Sequence, residues 1–168
     1  PNPLPPATVP ICLECTGSKP YSRDKSVLSG GECRHNRGMT PTSDPKRLVV
    51  AINPSARFGA NRGVGATMVE RLRALGHEVT DLIEPSYLDL IASARREIAT
   101  RPDAFVIVGG DGMVNLGTNV VAGTKVPLGL IPAGTGNDMA RALGIPHENQ
   151  EAALDILVEA LGRPPRAI

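Results

Sequence analysis

The chain is poor in what several function classes require. Aromatic residues make up 2% of its 168 residues and tryptophan is absent, which removes the stacking platforms that single-strand nucleic-acid binders use. The formal net charge is only +1, with acids and bases interspersed, so the strong basic field of a nucleic-acid surface is missing as well. No nucleic-acid partner is expected. No apolar run is long enough to span a bilayer, and no basic segment followed by a hydrophobic one opens the chain. Cysteine is confined to Cys12, Cys15 and Cys33. The first pair has half the spacing of a zinc knuckle, which Cys33 and His35 would complete, but the second half lacks a paired spacing. Free thiols on a leader are the simpler reading, and a cysteine-free main body suits a reducing cytosol. The chain opens at Pro1 and stops at "PPRAI", which reads as a fragment or a processed product.

Residues 1–45 are rich in Pro, Ser, Thr and Gly and hold no sustained apolar period, so a disordered leader is expected there. The pattern changes after Pro45. "RLVVAI" (47–52) is a short β-branched run ending at Asn53-Pro54. Residues 65–76 place Met68, Val69, Leu72 and Leu75 on one helical face and stop at Gly76. A second strand is expected over 77–83, and a helix over 85–100 with Pro85 at its start and Leu88, Ile91, Ala92, Arg95 and Ile98 at helical spacing. "AFVIV" (104–108) is a continuous apolar run, as a strand covered on both faces requires. A helix through Val121, a strand over 127–131, a short helix over 138–143 and a last helix over 149–161, with Ala153, Ile156, Leu157 and Ala160 as its stripe, complete the order. Strands alternating with helices predict an α/β fold: a three-layer, open, mainly parallel sheet with helices on both faces.

In such a sheet the ligand lies beyond the carboxyl ends of the strands. Three loops at those ends carry unusual residues: "NPSARFGANRG", "GGDGMVN" and "PAGTGND". Gly109, Gly110 and Gly112 allow positive φ and close backbone approach, and the amides of such a turn at a helix start form a donor set for phosphate. Asp111 inside that set suits a metal ion escorting the phosphate, a bound water or a ribose hydroxyl; its plainer role is a helix N-cap. In the second turn Thr135 is free to donate to phosphate, while Asp138 is placed to cap the short helix. Neither loop matches a P-loop or the dinucleotide fingerprint.

The stretches "NPSARFG", "VGGDGMVN" and "IPAGTGNDMARALGIP", in this order and spacing, resemble the catalytic domain of the diacylglycerol kinase family, which includes bacterial lipid kinases and sphingosine kinases and is related to NAD kinases and phosphofructokinases. The resemblance covers about residues 47 to 168. It implies ATP-dependent phosphorylation of a lipid hydroxyl, with Mg²⁺, at the membrane surface of the cytoplasm. It places Asn53, Pro54, Ser55, Ala56 and Arg57 in a first nucleotide loop, Gly110, Asp111, Gly112, Met113, Val114, Asn115 and Leu116 in a triphosphate loop, and Thr135 in a third. Asp111 is the expected catalytic and metal-binding residue. It also implies that residues 46–168 form an ATP-binding N-terminal domain, with a further β-rich domain supplying the base that deprotonates the lipid. Met113 stands where the family usually has Thr, Leu116 where it often has Glu, and Glu84 where a nucleotide-contacting Thr is common.

Other candidates are plainer. His77 and His147 read as surface histidines, and Arg95, Arg96 and Arg141 as a solvated helix face; Arg57 and Arg62 are better placed for a triphosphate. An NAD kinase-like enzyme with a soluble acceptor and a nucleotide-binding module without turnover are the alternatives.

Overall fold

A computed structural model describes residues 44–54 and 63–163. Residues 1–43 of the leader, with its cysteines, and Ser55, Ala56, Arg57 and Arg62 lie outside the described residues. Within them the order is β1 (Arg47–Ile52), α1 (Val64–Ala74), β2 (Glu78–Leu82), α2 (Tyr87–Ala99), β3 (Ala104–Gly109), α3 (Asp111–Val121), β4 (Leu128–Pro132), α4 (Asp138–Ala142) and α5 (Gln150–Leu161). The four strands are all parallel and lie in the order β2-β1-β3-β4.

Side-chain alternation along the strands divides the core in two. Leu48, Val50, Ile52, Val106, Val108 and Ile131 face Met68, Val69 and Leu72 of α1 and Leu154 and Leu157 of α5. Val49, Ala51, Phe105 and Ile107 face Leu90, Ala94 and Ile98 of α2 and Met113, Leu116 and Val120 of α3. Helices therefore cover both faces, which explains why β3 is buried at every position: a strand inside a parallel sheet has no solvent side. Phe105 is fully buried, and such a side chain contributes about 2–3 kcal/mol through removal of apolar surface from water.

Two helical stripes differ from the sequence expectation. In α2 the buried residues are Leu90, Ser93, Ala94 and Ile98, while Leu88 is 78% exposed. The helix begins later than Pro85, with Ser86 capping it by accepting from the Asp89 N–H, and the stripe that packs on the sheet runs through Leu90, Ala94 and Ile98, which leaves Leu88, about 200° from Leu90 around the helix axis, outside. In α5 Leu154 joins Ala153 and Leu157 in the core, and Ile156 is only partly covered.

Candidate functional site

From β1 the chain moves to β2 on one side, and later from β3 to β4 on the other, so the carboxyl ends of β1 and β3 flank the point where the connections diverge. Ligands of open α/β sheets bind in the crevice at such a point. Asn53 leaves β1 there, half-buried, with its N–H donating to Val108 O at 3.2 Å; Pro54 follows. The turn after β3 and the turn after β4 stand on its other side.

Gly109, Gly110 and Gly112 are glycines because of space, and the expectation of positive φ at them is corrected. The positive-φ glycines among the described residues are Gly63, Gly76, Gly123 and Gly144, whereas Gly110 has an extended φ of −97°. A Cβ on Gly109 would meet Met113 Cγ at 2.4 Å, and one on Gly134 would meet Gly110 Cα at 2.4 Å. The two glycine turns touch backbone to backbone, an approach no larger residue permits.

One carboxylate fastens them together. Asp111 Oδ1 accepts the N–H of Met139 at 3.0 Å and Oδ2 that of Asp138 at 3.2 Å, so a residue of the first turn satisfies the opening amides of α4, which would otherwise lack intrahelical partners. Asp111 is thus neither the cap of its own helix, whose N-cap is Gly110, nor is Asp138 the cap of α4. Asn137 occupies that cap position with φ 54°, and its side chain instead closes the turn, accepting from Gly134 N at 3.0 Å and donating to Gly134 O at 2.8 Å. Asp138 pairs with Arg141 at 2.8 Å. The amides of Met139 and then Asp138, with a smaller contribution from the Arg141 charge, hold the Asp111 carboxyl below its usual range.

Along α3 the predicted binding residues separate. Met113, Val114 and Leu116 are buried in the core, so their side chains face the sheet and α2, away from any ligand at the strand ends. The N–H of Met113 and that of Val114 both donate to Gly110 O, at 2.9 and 3.2 Å; the Met113 amide expected to hold phosphate is used within the turn. The Asp111 and Gly112 amides remain ahead of the helical ladder. Asn115 is exposed, and its Oδ1 accepts from Asn119 at 2.6 Å. Thr135 is exposed at the tip of the second turn.

Glu84 is turned toward α2, where its Oε1 accepts from Ser93 Oγ at 2.5 Å and Ser93 Oγ in turn accepts from Arg96 at 2.9 Å. His77 is not a surface residue: it is 4% exposed and its Nδ1 accepts the Lys46 N–H at 3.3 Å. His147 lies beside Arg141, which donates to its Nε2 at 3.4 Å. Sequence reasoning missed Tyr87, whose hydroxyl oxygen is 3.2 Å from where a Cβ on Gly112 would lie; nothing in the local pattern of α2 marks it. The lock formed by Asn137 had a signal, an Asn after glycine in a turn, which tolerates the left-handed region.

Among the described residues no group of three or more His, Cys, Asp or Glu is placed to hold a metal. Each Asp111 oxygen retains a lone pair beyond the amide it accepts. That donor set suits a divalent ion arriving with a polyphosphate, which keeps waters and phosphate oxygens and needs only one or two carboxylates.

Residues 47–165 match the family model described as the diacylglycerol kinase catalytic domain. A diacylglycerol kinase of Mycobacterium tuberculosis (strain ATCC 25618 / H37Rv) is 37% identical over 113 residues, covering 67% of this chain and 37% of that protein. One of Bacillus subtilis (strain 168) is 31% identical over 121 residues, covering 71% and 40%. A crystal structure of a diacylglycerol kinase from Bacillus anthracis str. Sterne superposes with a TM-score of 0.56 at 30% identity, covering 68% of this chain and 42% of that one. The chain spans about two fifths of the length of these relatives. With its parallel sheet, its interlocked glycine turns and these matches, the chain belongs to the diacylglycerol kinase catalytic domain family.

Proposed function

We propose that this chain forms the nucleotide-binding half of a lipid kinase that transfers the γ-phosphoryl group of ATP to a lipid hydroxyl, diacylglycerol giving phosphatidic acid. The observation that carries the reading is the contact between the Gly109–Gly110 and Gly134 backbones, locked by Asp111, at the strand ends where β1 and β3 diverge.

Phosphoryl transfer needs positioning and charge stabilisation more than covalent chemistry from the protein. The amides of Asp111 and Gly112, at the positive end of α3, face the phosphate oxygens, and the Thr135 hydroxyl donates from the opposite turn. Asn53 and Pro54 bound the cradle from β1. A divalent ion, Mg²⁺ in this reading, neutralises charge on the triphosphate when bound, and Asp111 is the residue that would hold it. In the transfer, the bond between γ-phosphorus and the acceptor oxygen forms as the bond to the bridging oxygen of ADP breaks. The hydroxyl proton leaves to a base that this reading assigns to none of the described residues.

The three departures from the family pattern leave the cradle intact. Met113 and Leu116 serve the core, and the Glu84 carboxylate is held on α2 by Ser93. Among the described residues no helix is long and apolar enough to cross a bilayer; the proposed lipid contact is peripheral, in the cytoplasm. The test is phosphate transfer from labelled ATP by the intact gene product, with diacylglycerol vesicles and NAD as rival acceptors. Label entering the lipid supports the reading. Label entering NAD, or nucleotide binding without product, refutes it.

A further inference from the structure

Tyr87 opens α2 on the β2 side of the sheet, yet its hydroxyl reaches the first turn of α3 on the β3 side. The oxygen lies 3.2 Å from the position a Gly112 Cβ would take, so the missing side chain at Gly112 is what leaves room for the phenol. The ring is 37% exposed, and among the described residues the hydroxyl has no hydrogen-bond partner. A phenol O–H in the half-covered mouth of a turn gains little from being held there unless something accepts its proton. The Asp111 and Gly112 amides open the same turn of α3 ahead of its helical ladder, and a ligand drawn to such donors at a helix N-terminus is an oxyanion, which would offer the phenol an acceptor in place of water. Burial also keeps the phenol protonated by raising its pKa.

We propose that Tyr87 is a further binding residue of the polyphosphate cradle, donating its O–H to a phosphate oxygen held at the Gly110–Gly112 turn. The inference rests on the nucleotide reading above and adds a contact to it from an element that carries no glycine turn. It also gives Gly112 a role distinct from backbone approach: the position must stay without a Cβ so that the phenol can lie over the turn.

The composition supplies the assay. The chain has no tryptophan and two tyrosines, Tyr21 and Tyr87, so in a Tyr21→Phe background tyrosine emission reports Tyr87 alone. Inorganic tripolyphosphate, which does not absorb, is titrated into this protein, with Mg·ATP as a second probe followed by calorimetry and adenosine as a phosphate-free control. Tripolyphosphate is expected to change the Tyr87 emission with the midpoint seen by calorimetry, and adenosine to leave it unchanged. Tyr87→Phe should weaken both phosphate ligands by about tenfold, the loss expected for a hydrogen bond to a charged group, with the melting temperature of the free protein unaltered. Gly112→Ala should weaken them as well, and the double variant should be no worse than the weaker single one, because both changes remove the same contact. Wild-type binding of ATP with Tyr87→Phe within twofold of it, an additive double variant, or silent Tyr87 emission on tripolyphosphate binding would overturn the role of Tyr87 and leave the nucleotide site standing. No binding of ATP or tripolyphosphate by the wild-type chain would overturn both.

Discussion

Gly134→Ala isolates the contact on which the site depends. The new Cβ would lie 2.4 Å from Gly110 Cα, 3.0 Å from Gly110 N and 3.0 Å from Asn137 Oδ1. Two of these neighbours are backbone, so no rotamer change relieves them. Reaching an ordinary contact of 3.4 Å requires the turns to part by 3.4 − 2.4 = 1.0 Å. A shift of that size stretches the Asp111 bonds to Met139 and Asp138, now 3.0 and 3.2 Å, to roughly 4 Å, beyond hydrogen-bond range. Overpacking of this kind costs about 2–3 kcal/mol. For a domain of this size that lowers the melting temperature by about 10 °C. Gly112→Ala is the control for stability alone: its Cβ meets only the mobile end of Tyr87, at 3.2 Å, and stability should stay within about 0.5 kcal/mol. Urea and thermal unfolding of the two variants decide the matter, with ATP binding measured at a temperature where both are folded. Gly134→Ala should lose that binding. A Gly134→Ala protein with wild-type midpoint and wild-type affinity would show that the turns are not in contact, and the cradle argument would go with it.

Asp111→Asn keeps an acceptor for one of the two α4 amides but removes the charge, so the chain should fold while the intact gene product loses phosphate transfer; near-normal turnover would remove Asp111 from the mechanism. Because the folded Asp111 pKa lies below its ordinary 3.8, its contribution to stability is complete above that value and lost as pH falls through the lower folded one, and Asp111→Asn should flatten this acid limb in urea midpoints taken from pH 5 downward. Thr135→Ala should raise the KM for ATP by about tenfold, the loss of one hydrogen bond to a charged oxygen, with kcat little changed; an unaltered KM counts against that contact. His77 is pushed below its ordinary 6.5, first by burial and then by the Lys46 charge. The neutral ring that accepts the Lys46 N–H is therefore favoured by folding. Its stabilisation is present above pH 6.5 and lost as pH drops toward the folded value, and His77→Gln, which still offers an acceptor, should abolish that pH step in the unfolding midpoint.

Element order, the parallel sheet and the Met68, Val69, Leu72 stripe of α1 were legible in the sequence, because a buried strand needs an unbroken apolar run and a half-buried helix repeats every 3.6 residues. So were the strand-end turns after β3 and β4, since glycine and polar residues gathered there have no role in a core. The α2 stripe was not, because the apolar residues of that helix fit more than one face, and packing in the core cluster selects the one through Leu90, Ala94 and Ile98 and leaves Leu88 outside. Local pattern also could not distinguish a glycine that needs positive φ from one that leaves space: at Gly110 and Gly134 the reason is each other, 24 residues apart in the chain. The same holds for Asp111, whose residue type announced a role in its own turn, while its hydrogen bonds go to the first amides of α4. Sequence fixes which groups a residue can offer; which partner accepts them is set by the packing of β4 beside β3, and that contact exists only once the sheet has formed.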